Sequence, residues 1–178
     1  MPKLRPLGLL VREMEPAIRD VRIENTIYGD LVRPALLPKP ACKVWLICGP
    51  PASGKSTYVR ANAGKGDIVI DVDAIAREYG MGRERLSEAT AMLLLDRNER
   101  LAALATEPVD RVAWVIMGGA SHELRQWWCN ALGVEPDHLI VLVPSREELY
   151  FRIMNDPDRR SVHHLHKSLV DKWFMQDD

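Results

Sequence analysis

The stretch Gly49-Pro50-Pro51-Ala52-Ser53-Gly54-Lys55-Ser56 fits the pattern G-x-x-x-x-G-K-[ST], and the apolar run Val44-Trp45-Leu46-Ile47-Cys48 leads directly into it. The run has the length and composition of a buried strand, and Lys55-Ser56-Thr57-Tyr58-Val59-Arg60 can begin a helix, so the pattern stands in a strand-loop-helix context. Gly49 and Gly54 allow backbone N–H groups to turn inward, where with the helix N-terminus they form a nest for phosphate oxygens. Lys55 adds a positive charge for β- and γ-phosphates, Ser56 offers a hydroxyl to Mg²⁺, and Thr57 is the weaker candidate beside it. Gly49, Pro50, Ala52, Ser53, Gly54, Lys55, Ser56 and Thr57 are therefore the expected nucleotide-binding residues. The bland alternative, a surface turn with an incidental lysine, does not explain why strand, loop and helix agree.

A chain of 178 residues has room for one α/β domain with a real core, and an additional arm. Its 47% hydrophobic and 28% charged residues are ordinary for a globular protein, and no apolar stretch approaches the roughly 20 residues of a membrane span. The start, Met1-Pro2-Lys3-Leu4-Arg5-Pro6, lacks the long apolar segment of a signal peptide, so a cytoplasmic location is the expectation. Cys42, Cys48 and Cys129 have no metal-type spacing and read as reduced. With 24 Lys and Arg against 25 Asp and Glu, overall charge exerts no long-range pull on nucleic acid, although a local basic groove is compatible with it.

Residues 1–40 are expected to form an arm, with prolines at 2, 6, 16, 34, 38 and 40, a short helix somewhere in Arg12 to Glu24, and a stiff linker from Pro34 to Pro40. From 41 to 178, short apolar runs alternate with helical segments, the mark of parallel βαβ units. Expected strands are Lys43 to Cys48, Asp67 to Ile70, Arg111 to Met117 and His138 to Val143. Expected helices are Lys55 to Ala61, Ala74 to Tyr79, a long one from Arg83 to Thr106, Ser121 to Leu132, Arg146 to about Asn155, and roughly Val162 to Phe174.

The second strand ends in Ile70-Asp71-Val72-Asp73, and in a parallel sheet that end opens on the same edge as the phosphate loop. Two carboxylates there can hold Mg²⁺ or take a proton from an attacking hydroxyl; the plainer alternative is that one of them, Asp73 for instance, caps the short helix at Ala74, which does not exclude chemistry.

This arrangement resembles P-loop kinases of the polynucleotide kinase and zeta-toxin type, and the small phage-encoded AAA-type ATPases similar to them, over roughly Val44 to Phe174. The resemblance implies a three-layer α/β domain with a mainly parallel sheet in the order 2-3-1-4, a C-terminal lid, and ATP with Mg²⁺ as cofactors. By position in the motif it makes Asp73 the general base and Asp71 a helper on the magnesium side. It also implies phosphate-neutralising roles for Arg125 in Ser121-His122-Glu123-Leu124-Arg125 and for lid arginines Arg152, Arg159 and Arg160. Arginine suits that work because phosphoryl transfer spreads charge over several oxygens. One departure stands out: Val115-Ile116-Met117-Gly118-Gly119-Ala120 carries no acidic residue where many relatives have one at the end of strand three. Gly118-Gly119 suggests a close backbone approach there, to an acceptor or to the phosphate loop itself, or simply a tight turn.

Two readings follow from different classes. One is a phosphotransferase acting on a nucleic-acid end or nucleotide-like acceptor. The other is an ATP-binding accessory protein that hydrolyses slowly and gates a protein partner through its arm, in phage DNA metabolism. The chain has no Asn-Lys-x-Asp stretch of a guanine-specific switch. His163, His164 and His166 are expected on the polar face of the last helix, and Trp45, Trp114 and Trp173 in the core. Trp127 and Trp128 are expected to divide between core and surface.

Overall fold

The computed structural model describes residues 31–85 and 87–176. The expected helix within Arg12 to Glu24 therefore lies outside the described residues. Four strands form one sheet: β1 (Lys43–Cys48), β2 (Ile68–Ile70), β3 (Val112–Met117) and β4 (Leu139–Val141), in the order β2-β3-β1-β4 and all parallel. This is the expected sheet order. The two central strands pair over their whole length, from Lys43 opposite Val112 to Cys48 opposite Met117. They read as continuous apolar runs because helices cover both of their faces.

Six helices that lie wholly within the described residues accompany the strands: α1 (Lys55–Asn62), α2 (Val72–Glu78), α3 (Ser87–Ala103), α4 (His122–Leu132), α5 (Arg146–Asn155) and α6 (His163–Gln176). Alternation along β1 and β3 divides the core. Val44, Leu46, Cys48, Val115 and Met117 pack with Leu101, Trp128 and Leu132 of α3 and α4, whereas Ile47, Trp114 and Ile116 pack with Val59 of α1. A satellite cluster of Leu149, Ile153 and Val170 joins α5 to α6. Among the described residues no helix is long and apolar enough to cross a membrane.

Several boundaries differ from the sequence expectation. The short helix starts at Val72, because Asp71 rather than Asp73 is its N-cap and accepts from the Asp73 N–H at 3.1 Å. The long helix starts at Ser87 rather than Arg83, since Arg83 and Arg85 turn toward Asp73, and its last turn tightens to 3₁₀ at Leu104–Thr106. Strands β2 and β4 are three residues each. A 3₁₀ turn over Pro157–Val162 replaces the start of the last helix, which runs on to Gln176.

Trp114 and Trp173 are buried, whereas Trp45 is only half-buried and stacks on Trp114 at 5.3 Å. Trp128 enters the core and Trp127 stays half-exposed, as expected of adjacent helix positions. His166 departs from the expected polar face. It is buried, with its Nδ1 2.8 Å from the Arg159 guanidinium.

Candidate nucleotide and phosphoryl-transfer site

The loop from Gly49 to Gly54 leaves the C-terminal end of β1 and feeds α1, and both glycines are required by geometry. Gly49 has φ +152°, and a Cβ there would lie 2.4 Å from the Leu142 carbonyl and 2.6 Å from Ser53 Oγ. Gly54 sits in the left-handed region (φ +95°) as the N-cap of α1. Ala52 also has positive φ, 64°, so the loop holds one non-glycine residue in a conformation L side chains rarely adopt. The Gly49 N–H donates to the Gly118 carbonyl at 3.0 Å, which makes the Gly118-Gly119 segment a direct support of the phosphate loop. A Cβ at Gly119 (φ +58°) would lie 2.6 Å from Cys48 Sγ.

Lys55 folds back across the loop. Its Nζ donates to the carbonyls of Gly49 (2.8 Å) and Pro50 (2.7 Å), and burial lowers the ammonium to about 8. Pro50 is buried and does not line the cavity, whereas Pro51, Ala52, Ser53, Gly54, Ser56 and Thr57 do. Ser56 Oγ lies 3.4 Å from Asp71 Oδ2. The Asp71 carboxyl is pushed up by burial and then by the charge of Asp73. A hydroxyl and a buried carboxylate side by side are hard oxygen donors that suit Mg²⁺, and Asp71 has no ion-pair partner among the described residues.

Asp73 is held differently. Arg83 reaches its Oδ2 at 2.9 Å and Arg85 its Oδ1. Burial alone would raise this carboxyl, but the Arg85 and Arg83 hydrogen bonds and charges outweigh it and hold Asp73 below the ordinary carboxylate range. Arg83 and Arg85 were not singled out from sequence. The available signal is the basic pair Arg83-Glu84-Arg85 directly after the breaker Gly80-Met81-Gly82.

The arginines named from the resemblance separate. Arg152 donates to the Ala52 carbonyl at 3.1 Å, pairs with Glu148, and lines the cavity at the phosphate loop. Arg159 lines it too, held by Asp156 at 2.8 Å and by His166. Burial, and then the charge of Arg83, shift its guanidinium below the ordinary arginine range, so positive groups converge here. Arg160 is exposed on the far side of the 3₁₀ turn and does not line the cavity. Arg125 does not line it either. Its guanidinium is buried, donating to the carbonyls of Gly119 (2.7 Å) and Ala120 (3.1 Å) and lying 5.7 Å from the Trp173 ring centre. It braces the loop after β3 from behind.

The cavity that gathers these residues has a volume of about 1430 Å³. Nine Lys and Arg residues line it against three Asp, in a chain whose net charge is −1. The end of β3 contributes Met117, Gly118 and Gly119 to its wall and no carboxylate.

Loop, capped helix, paired hydroxyl and carboxylate, and a basic cleft at the C-terminal edge of a parallel 2-3-1-4 sheet together make a P-loop nucleotide site. No curated protein matches this chain. A family model described as an AAA domain, AAA_33, matches residues 44–167, and the chain belongs to that family of P-loop NTPases.

Proposed function

We propose that the protein is an ATP- and Mg²⁺-dependent phosphotransferase acting on a nucleic-acid end or a nucleotide-like acceptor. The observation that carries this reading is the size and reach of the cleft. Sites for one small ligand occupy about 300–1,000 Å³, whereas this one measures about 1430 Å³ and runs from the phosphate loop past Asp73. It has room for a donor and an acceptor together.

In this reading the loop amides and Lys55 hold the triphosphate, and Ser56 and Asp71 hold Mg²⁺, which when bound neutralises charge on the phosphates. Asp73 accepts the proton of the acceptor hydroxyl as its oxygen bonds to the γ-phosphorus and the bond to ADP breaks. Arg152 and Arg159 approach from the lid and stabilise the charge that develops on the transferring group. Arg125 acts as a positioning residue behind the loop.

The test is incubation with γ-labelled ATP, Mg²⁺ and a panel of 5′-hydroxyl DNA and RNA ends, mononucleotides and nucleotide sugars. Label on an acceptor, lost in Asp73→Asn while ATP affinity persists, supports the reading. Phosphate release that no acceptor accelerates would overturn it.

A second reading, a slow ATPase that gates a protein partner, draws on one observation. The end of β3 lacks a carboxylate and Asp73 has both oxygens engaged by arginine. Under that reading deletion of residues 1–30 abolishes partner capture, and Asp73→Asn has little effect on phosphate release.

A further inference from the structure

At the edge of the sheet opposite the phosphate loop, the chain enters β4 through Glu135-Pro136-Asp137-His138. Pro136 to His138 form a 3₁₀ turn, closed by the His138 N–H donating to the Glu135 carbonyl at 2.9 Å. Side chains three residues apart eclipse in a 3₁₀ turn, so Glu135 and His138 share one side of it. His138 Nε2 lies 4.0 Å from Glu135 Oε2 and 3.9 Å from Asp137 Oδ2, and one ligand atom of each residue lies within 4.8 Å of the other two.

The three groups are held unequally. His138 is 7% exposed, and its ring lies 4.3 Å from that of Trp45, which stacks in turn on Trp114. Its imidazole forms no hydrogen bond among the described residues, although a buried ring nitrogen ordinarily has a partner, and Nε2 faces the two carboxylates. Glu135 and Asp137 are exposed and have no lysine or arginine partner among the described residues. Two like charges therefore meet at one imidazole.

An imidazole nitrogen with two carboxylate oxygens is a donor set for a borderline divalent metal. Zn²⁺ holds such atoms at about 2.0–2.2 Å, so two of them at a tetrahedral angle stand about 3.4 Å apart. Rotation of the two exposed carboxylates closes the gaps of 3.9 and 4.0 Å to that value, while the imidazole is already fixed against Trp45. We propose that Glu135, Asp137 and His138 bind a divalent transition-metal ion of the Zn²⁺ class at the entry to β4. The ion neutralises the carboxylate pair and ties the 3₁₀ turn together, with water in its remaining positions. This site is separate from the nucleotide's Mg²⁺: none of the three residues lines the cleft, and Mg²⁺ favours oxygen ligands alone. It holds whether or not the protein transfers phosphate.

The test titrates Zn²⁺ calorimetrically into the full-length, untagged chain after dialysis against EDTA, with no nucleotide present. One equivalent is expected to bind, and the Glu135→Gln, Asp137→Asn double variant is expected to bind it at least about tenfold more weakly. Both substituted side chains are exposed, so the variant keeps the fold, which circular dichroism verifies. Co²⁺ in place of Zn²⁺ should give visible bands without thiolate charge transfer, which separates this site from binding at Cys42, Cys48 or Cys129. In nitrogen NMR spectra of the histidines, Zn²⁺ should move the Nε2 signal of His138, identified as the one missing in His138→Gln. Matching isotherms for wild type and double variant overturn the proposal, as does a His138 Nε2 signal that Zn²⁺ leaves in place.

Discussion

The Gly49 N–H donates to the Gly118 carbonyl across 3.0 Å, and so fastens the first residue of the phosphate loop to the end of β3. The same carbonyl accepts from Trp173 Nε1 at 3.0 Å, which brings α6 into the support of the loop. The end of β3, which carries no carboxylate, works here through its backbone.

Substitution at this junction should therefore damage both stability and binding. Gly49→Ala places a methyl 2.4 Å from a backbone carbonyl, and Gly119→Ala places one 2.6 Å from Cys48 Sγ, each at positive φ. Overpacking of this kind costs about 1–3 kcal/mol, with left-handed strain added. Urea melts should show that loss in both variants, and under the proposed function ATP affinity should fall further in Gly49→Ala, whose loop is the one assigned to the phosphates.

Lys55 should couple nucleotide binding to protons. Its ammonium sits at about 8 in the folded protein because of burial, below its value in an unfolded chain. The unfolded state therefore binds more protons above pH 8, and this group's contribution to stability rises as pH climbs from there toward its unfolded value. A triphosphate favours the charged form, so binding at pH 8.5 should take up protons and binding at pH 6.5 should not. Calorimetry in buffers of different ionisation enthalpy reads this directly. Lys55→Arg, charged throughout, should abolish the uptake.

His166 should set an acid limit on the packing of the 3₁₀ turn Pro157–Val162 against α6. Burial, and then the charges of Arg159 and Arg83, lower its imidazole to about 4. With a folded value below the unfolded one near 6.5, its neutral form contributes stability that is complete above about pH 6.5 and is lost as pH falls toward 4. Thermal midpoints followed over that window should drop more steeply in the wild type than in His166→Gln, which retains an acceptor for Arg159.

Arg125→Ala should act on the fold rather than on phosphate binding. It removes hydrogen bonds to two carbonyls, one of them buried, and each such loss costs about 1.5–3 kcal/mol when the donor is charged. Chemical denaturation should report destabilisation of that order, with ATP affinity within about threefold of wild type at temperatures where the variant is folded. A large loss of affinity in a stable variant would instead put Arg125 on the phosphates.

Local patterns in the chain determined the strand-loop-helix unit, the alternation of elements and the caps. Val44 to Cys48 is buried on both faces, Gly54 needs a left-handed backbone, and Ser121, Gly133 and Ser145 stop or start helices by bonds that reach only three or four residues. Such features depend on neighbours in sequence, and the sheet order followed from them through the resemblance. The partners of charged side chains depend on neighbours in space. Only the tertiary structure decided that Arg125 turns behind the loop, that His166 is buried against Arg159, and that Arg83 and Arg85 grip Asp73. A long guanidinium arm spans several possible partners at nearly equal local energy. Which one it meets is set by how the sheet edge, the 3₁₀ turn after α5 and the loop after α2 come together.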